Sequence, residues 1–122
     1  MDDLLFIQKD VLPALLEGLI VSIKLIIWSI PFGLVTGTLI AVGRVYGNKS
    51  ISFFCKLYVI FFKGTPLLIL LFMLYFGLPS MGISLSPFAA SVLGFVLCNG
   101  AYNSEYIRGA IQSVKGGQLI AA

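Results

Sequence analysis

The side chains that carry out acid–base, nucleophilic or metal chemistry are few and scattered in this sequence. Histidine is absent, which removes the commonest metal ligand and the usual general base near neutral pH. Glu105 is the sole acid in the C-terminal two-thirds of the chain, and the two cysteines, Cys55 and Cys98, lie in separate apolar runs. Such cysteines are typical of small buried apolar residues rather than of a metal site or a redox pair. We therefore expect no catalytic site, no metal and no cofactor.

Lys63 is the most unusual charged residue, because it lies about twelve residues into an apolar run that begins at Ile51. If this run crosses a membrane, a charge at that depth costs a few kcal/mol unless it faces water or protein. Gly64, Thr65 and Pro66 follow directly, and a residue before proline is biased away from helix. Two interpretations remain open. Either Lys63 and this break face a translocation path or a partner subunit, or the lysine extends to the cytoplasmic headgroups.

Residues 43–50 superficially resemble a phosphate-binding loop. That motif has four residues between its glycines and a lysine directly after the second one. Here three residues separate Gly43 from Gly47, and Asn48 precedes Lys49. The net charge of +3 comes from scattered residues and is too small for a nucleic-acid surface. We expect neither nucleotide nor nucleic-acid binding.

The composition is that of a membrane protein. The 122 residues are 59% hydrophobic and 11% charged, whereas soluble domains carry roughly 25% charged residues. A small soluble domain needs polar residues to cover its large surface, and lipid removes that need. The sequence predicts an all-α integral membrane fold, with residues 1–122 forming a single transmembrane domain.

Three apolar segments are long enough to cross a bilayer as helices. We predict spans at about 25–43, 52–76 and 85–104. The first has nineteen uncharged residues, or roughly 28 Å of helix. It contains Gly33 and Gly37, a Gly-x-x-x-Gly pair whose spacing lets a second helix pack closely. The second contains the Gly64-Thr65-Pro66 break, and we expect one broken span there rather than two.

The segments that flank these spans are less apolar. Residues 11–23 are interrupted by charges and form either an interfacial helix or an extension of the first span. Residues 105–122 are more polar, and Ile107, Ile111 and Val114 repeat at helical spacing. The third helix should therefore continue out of the membrane as an amphipathic stretch. We expect Gly116-Gly117 to end it.

The basic residues are distributed unequally between the two sides of the predicted membrane. Two lie on the N-terminal side, Lys9 and Lys24, and six on the other: Arg44, Lys49, Lys56, Lys63, Arg108 and Lys115. Because cytoplasmic segments are enriched in lysine and arginine, this asymmetry predicts an N-terminus outside and a C-terminus in the cytoplasm.

Two passages are specific enough to compare with a known family. They are residues 62–68 (FKGTPLL), followed by 74–79 (LYFGLP), and residues 101–118 (AYNSEYIRGAIQSVKGGQ). The first resembles the Arg-or-Lys-Gly-Thr-Pro-Leu-Leu segment in permease subunits of polar amino-acid ABC importers. The second is similar to the run that these permeases carry into a cytoplasmic coupling loop. The resemblance covers the chain from about Leu15.

The resemblance implies the first part of the five-helix type I importer permease fold. It implies a non-catalytic subunit that transports polar amino acids across the inner (plasma) membrane of a prokaryote. The implied partners are a separate ATPase subunit, a second permease subunit in a homo- or heterodimer, an extracytoplasmic solute-binding protein and membrane lipid. The coupling loop would dock on the ATPase subunit. Its residues here are Ser113, Lys115, Gly116, Gly117, Gln118, Ile120, Ala121 and Ala122.

The sequence also departs from the family pattern at its C-terminal end. Ile120-Ala121-Ala122 stands where the family has Glu-Ala-Ala, and the family continues beyond this point to two further spans. We therefore expect a truncated product or a fragment. The alternatives are a small non-transporting membrane protein, as a remnant or an oligomer joined through Gly33 and Gly37, and, more weakly, a pore-forming protein. Neither alternative requires the segment 112–118.

Overall fold

The computed structural model describes residues 2–121, and for residues 118–121 it describes the backbone alone. The regular elements in this range are all helical, in agreement with the all-α prediction. They comprise five α-helices joined by short turns, some of them π- or 3₁₀-helical. In chain order they are α1 (Asp2–Phe6), a π-helical turn (Ile7–Val11), α2 (Leu12–Tyr46), α3 (Lys49–Gly64), α4 (Leu67–Phe72), a second π-helical turn (Met73–Gly77), a 3₁₀ turn (Leu78–Met81) and α5 (Pro87–Ala121).

The first third of the chain is one long helix. The elements α1, the first π-helical turn and α2 continue into each other and cover 45 residues, Asp2–Tyr46. Residues 11–23 are thus an extension of the first helix, one of the two options that the sequence left open. The helix also continues through Pro31, which lies in its interior.

Local sequence signals account for the helix boundaries. The side chain of Asn48 accepts a hydrogen bond of 2.9 Å from the Ile51 N–H, which caps the first turn of α3. In the same way the Ser86 hydroxyl accepts one of 3.1 Å from the Ala89 N–H, and Pro87 occupies the first position of α5. Gly82 ends the preceding turn in a left-handed conformation, with φ of 88°.

The chain is broken and sharply redirected between α3 and α4. Thr65 is extended (φ −92°, ψ 123°), and α4 starts directly after Pro66. The axes of Lys49–Gly64 and Leu67–Met81 differ by 101°. The break lies where the sequence places it, because a residue before proline avoids helical dihedral angles.

The number of membrane spans differs from the three expected. Among the described residues, one helix, Asp2–Tyr46, is long and apolar enough to cross a bilayer. A second span results if the bent pair Lys49–Gly64 and Leu67–Met81 forms one crossing. The helix α5 is 35 residues long, but it carries Asn99 and Asn103 inside the third predicted span. The three-span prediction is therefore not confirmed.

The C-terminal helix is longer than the sequence indicated. It continues beyond the third predicted span as one helix to Ala121, so the prediction that Gly116-Gly117 ends it is wrong. Glycine lowers helix stability by about 1 kcal/mol relative to alanine but does not break a helix unless another conformation is favoured. Gly82 is the one described glycine with positive φ, and neither Gly116 nor Gly117 adopts such a conformation.

The packing between helices buries small residues and leaves large apolar ones outside. α2 makes its most extensive contacts with α5, and α3 packs against both. The buried residues of α2 are small and recur at every fourth position: Ser29, Gly33, Gly37 and Ala41. The buried residues of α5 are also small: Ala90, Gly94, Cys98, Gly100, Ala101 and Ser104. Large apolar side chains such as Trp28, Leu39 and Phe54 are exposed. Small residues at the contact and large apolar ones outside are characteristic of helices in lipid.

Candidate functional site at the helix break and the α2–α5 interface

The two glycines of the Gly-x-x-x-Gly pair face α5. A Cβ atom built on Gly33 would lie 2.9 Å from the Asn99 Cβ, and one on Gly37 would lie 2.7 Å from the Asn103 Cβ. The Gly37 position is also only 3.1 Å from the backbone oxygen of Gly100. Ordinary carbon–carbon contacts are about 3.5–4.0 Å. The two helices are therefore closer here than any side chain on α2 would permit.

A cavity of about 470 Å³ opens beside this contact. Its polar groups are Ser29 on α2 and Asn99 and Asn103 on α5, and its other lining residues are apolar. The Ser29 residue is 3% exposed, and its hydroxyl has no hydrogen-bond partner among the described residues. Within the same part of the chain, no hydrogen bond joins either asparagine side chain to another residue. The cavity thus offers two amides to a polar ligand, with the Ser29 hydroxyl buried at its wall, and it has the size of small-molecule sites.

A second cavity of about 360 Å³ lies at the break. The four residues predicted to form the break, Lys63, Gly64, Thr65 and Pro66, all line it, together with Leu67, Phe95, Cys98, Asn99 and Tyr102. Phe95 and Asn99 line this cavity and the α2–α5 cavity, so the two are neighbours.

Lys63 is held at the edge of this second cavity by Tyr102. The Lys63 Nζ lies 5.8 Å from the centre of the Tyr102 ring, within reach of a cation–π interaction. The Tyr102 hydroxyl also donates a long hydrogen bond of 3.5 Å to the Lys63 carbonyl oxygen. The lysine side chain is exposed, so the ammonium group is available to a solute or to a neighbouring subunit.

A cluster of three charges joins the end of α2 to α5. The Glu105 carboxylate accepts hydrogen bonds from Arg44 at Oε1 and from Arg108 at Oε2, the latter at 2.8 Å. Hydrogen bonding to Arg108 holds the pKa of the Glu105 carboxyl below its ordinary value. Partial burial alone would raise this pKa, but Arg44 also lowers it. Arg44 lies in the last turn of α2, where a cation also interacts favourably with the helix dipole.

The residues predicted for the coupling loop follow this cluster on α5. Ser113 and Lys115 are exposed, and the Lys115 Nζ lies 4.2 Å from the centre of the Tyr46 ring. Gly116 and Gly117 have no atom within 4 Å of an added Cβ. The other four positions predicted for the coupling loop have side chains outside the described part of the chain: Gln118, Ile120, Ala121 and Ala122.

Sequence reasoning missed the charge cluster and the α2–α5 cavity. A signal existed for each of them. Glu105 is the sole acid among the predicted cytoplasmic basic residues, which indicates a salt bridge. Asn99 and Asn103 are four residues apart in an apolar helix and thus share one face. As for metals, no three of the His, Cys, Asp and Glu residues that the structure describes come together.

An apolar outer surface around polar cavities is the arrangement of a helical protein embedded in a membrane. No protein-family model matches the chain. It is 42% identical over 109 residues to a glutamine transport system permease protein (GlnP) of Rickettsia conorii, covering 88% of this chain and 50% of that protein. It is 36% identical over 120 residues to an L-cystine transport system permease protein (TcyL) of Bacillus subtilis, covering 93% of this chain and 50% of that protein.

The same relationship holds for a solved structure. The chain is similar to a crystal structure of an amino acid ABC transporter with histidines, with 33% sequence identity and a TM-score of 0.85. The match covers 94% of this chain and 54% of the chain in that structure. The chain belongs to the family of amino-acid ABC transporter permeases, as the two sequence passages indicated. It spans about half the length of the curated relatives that it matches.

Proposed function

We propose that this chain is part of the transmembrane subunit of an ATP-driven importer of polar amino acids. The observation that carries this proposal is the likeness to an amino acid ABC transporter, at 33% identity and a TM-score of 0.85 over 94% of the chain. The glutamine and cystine permease proteins among its relatives support a polar amino acid as the substrate.

The two neighbouring cavities support a translocation path along α5. A polar amino acid needs hydrogen-bond partners inside the membrane, because an unpaired polar group there costs several kcal/mol. Asn99 and Asn103 offer such partners, since their amides line the cavity and make no hydrogen bond within the described residues, and the unpaired Ser29 hydroxyl is buried at its wall. Lys63, at the edge of the second cavity, offers a cation to the substrate carboxylate. In this proposal Lys63, Gly64, Thr65 and Pro66 border the path, and Gly33 and Gly37 serve helix packing.

The partners in this proposal are an ATPase subunit, a second permease subunit and an extracytoplasmic solute-binding protein. The chain itself is non-catalytic, and ATP hydrolysis takes place on the ATPase subunit. The C-terminal part of α5, from Glu105 onward, docks on that subunit. The excess of basic residues around this end supports a cytoplasmic location, with the N-terminus outside the inner membrane.

Uptake into membrane vesicles tests the proposal. Right-side-out vesicles are prepared that contain the chain, the ATPase subunit and the solute-binding protein of the same cell. The vesicles are loaded with ATP on the inside. We expect uptake of at least one labelled polar amino acid from a panel that includes glutamine, cystine and histidine. Vesicles without the chain are the control. Equal uptake with and without the chain, for every member of the panel, would contradict the proposal and favour a non-transporting membrane protein.

A further inference from the structure

Two separate contacts join the C-terminal part of α5 to the end of α2. The first is Glu105, which accepts hydrogen bonds from Arg44 on α2 and from Arg108 one turn along α5. The second is Lys115, whose ammonium group lies 4.2 Å from the centre of the Tyr46 ring. These five residues are called the α2–α5 clamp. The two contacts are ten residues apart on α5, or roughly 15 Å along its axis.

The separation of the two contacts decides how the helices can move. One contact alone would let α5 pivot about Glu105, whereas a second contact, between Lys115 and Tyr46, opposes that rotation. The Lys115–Tyr46 contact is the weaker of the two, because both of its residues are exposed. Any force that displaces α5 near Ser113 is transmitted to α2 through Tyr46 and Arg44.

The ion pairs are partly shielded from solvent, which makes them effective. The side chains of Arg44 and Glu105 are 17% and 22% exposed, and that of Arg108 is 28% exposed. Fully exposed pairs contribute little because water and salt screen them. Both oxygens of the carboxylate have a partner, so removal of one arginine leaves one oxygen without its hydrogen-bond donor. The end of α2 is held on its other side as well, since the Ser52 hydroxyl of α3 donates a hydrogen bond of 3.0 Å to the Arg44 carbonyl oxygen.

The rest of this part of α5 has few neighbours. Tyr106 and Val114 are exposed. An added Cβ at Gly109, Gly116 or Gly117 would meet no atom within 4 Å. The clamp therefore supplies the polar side-chain contacts between this stretch and α2 among the described residues, while Ile107 and Ile111 are partly buried.

We propose that α2 is a second element of the coupling route: Arg44 and Tyr46 are positioning residues that make α2 move together with the ATPase-docking part of α5. The coupling role rests on the proposed function, whereas the rigidity of the clamp can be measured in the chain alone. Because α2 lines the cavity that contains Ser29, Asn99 and Asn103, its movement would change the shape of the proposed path.

The first experiment measures the rigidity of the clamp in the chain alone, in lipid nanodiscs. Spin labels are attached at Val42 on α2 and Val114 on α5, both exposed, after Cys55→Ser and Cys98→Ala have removed the native thiols. Double electron–electron resonance spectroscopy then gives the distribution of distances between the two spin labels. The unaltered clamp should give one narrow distribution.

Paired substitutions separate the clamp from general damage to the fold. Tyr46→Leu removes the ring and should at least double the width of the distribution, while Tyr46→Phe keeps the ring and should not. Arg44→Gln should broaden it and Arg44→Lys should broaden it less. Lys56→Gln, which removes an exposed cation outside the clamp and outside both cavities, is the control. If Tyr46→Leu and Arg44→Gln both keep the wild-type width, the clamp does not hold the helices and the proposal is overturned.

The second experiment tests coupling after the ATPase subunit and ATP are added. Labels at Val42 and at exposed Leu68 on α4 report the movement of α2, and a thiol cross-link from Ser113→Cys reports docking. We expect ATP to shift the label distance in the wild type but not in Tyr46→Leu, with docking retained in both. An equal shift in both would overturn the coupling role. Absence of docking in the wild type would contradict the proposed function, and the first experiment would still decide whether the clamp exists.

Discussion

Replacement of Gly37 by alanine tests the close approach of α2 and α5. The added Cβ would lie 2.7 Å from the Asn103 Cβ and 3.1 Å from two backbone atoms, the Gly100 oxygen and the Ser104 nitrogen. None of these neighbours can rotate away, because two are backbone atoms of α5 and the position of a Cβ atom is fixed by its own backbone. The helices must therefore separate by a few tenths of an ångström or more, and we expect Gly37→Ala to destabilise the chain.

The magnitude follows from a matched control on the same helix. Gly18 has nothing within 4 Å of an added Cβ. Both substitutions gain the helix propensity of alanine, about 1 kcal/mol, so this gain cancels between them. The remaining difference is the overpacking cost at Gly37, about 1–3 kcal/mol. Gly33→Ala should fall between the two, because its added Cβ would meet one closely placed fixed atom, the Asn99 Cβ, whereas that of Gly37→Ala would meet three.

Thermal unfolding in detergent measures these differences through the buried thiol of Cys98. In a Cys55→Ser background, a thiol-reactive fluorescent dye labels Cys98 only when the helices separate. With about 4 °C per kcal/mol for a chain of this length, the midpoint of Gly37→Ala should lie about 4–12 °C below that of Gly18→Ala. A midpoint for Gly37→Ala equal to or above that of Gly18→Ala would refute the packing argument.

The remaining predictions concern the path and the charge cluster. Lys63→Leu should insert normally but lower uptake, whereas Lys56→Leu, on the same helix outside the cavity, should not; equal uptake by both variants would favour a lysine that merely extends to the headgroups. Ser29→Ala should leave the unfolding midpoint unchanged or raised, because it removes an unpaired buried hydroxyl, yet it should lower uptake about fivefold if the hydroxyl bonds the substrate. Ser22→Ala is the exposed control. A lower midpoint without loss of uptake in Ser29→Ala would contradict the prediction. The pKa of Glu105 is lowered in the folded chain, so its contribution to stability is present above the ordinary glutamate pKa of about 4.3 and is lost as the pH falls below it. The unfolding midpoint of the wild type should therefore be lower at pH 4 than at pH 7, and Glu105→Gln should reduce this difference. An unchanged difference would contradict the pairing of Glu105 with the arginines.

Local signals in the sequence explain the break and two of the helix starts. Thr65 before Pro66 favours a break in the helix, and Asn48 and Ser86 mark helix starts because their side chains accept backbone hydrogen bonds. The spacing of Gly33 and Gly37 indicated a packed face. It did not indicate the partner, because the register of α2 against α5 depends on the tertiary fold.

Non-local features were not accessible in the same way. Arg44 and Glu105 are 61 residues apart, so their pairing depends on how α2 and α5 align rather than on any spacing rule. The expected helix end at Gly116-Gly117 was wrong because a low helix propensity was treated as a stop signal. The three-span count rested on the length of the apolar segments and is not confirmed, because Asn99 and Asn103 make α5 less apolar than α2.

The central claim, that the C-terminal part of α5 docks on an ATPase subunit, is tested most directly by cross-linking in membranes. Cysteine is placed at Ser113, exposed near the end of α5, or at Ser80, exposed in the turn before it, in a chain without native thiols. Membranes are then prepared from cells that also produce the amino-acid-importer ATPase subunit. The account predicts a thiol cross-link to the ATPase subunit from Ser113→Cys and none from Ser80→Cys. No cross-link from Ser113→Cys, or equal cross-linking from both positions, would contradict it.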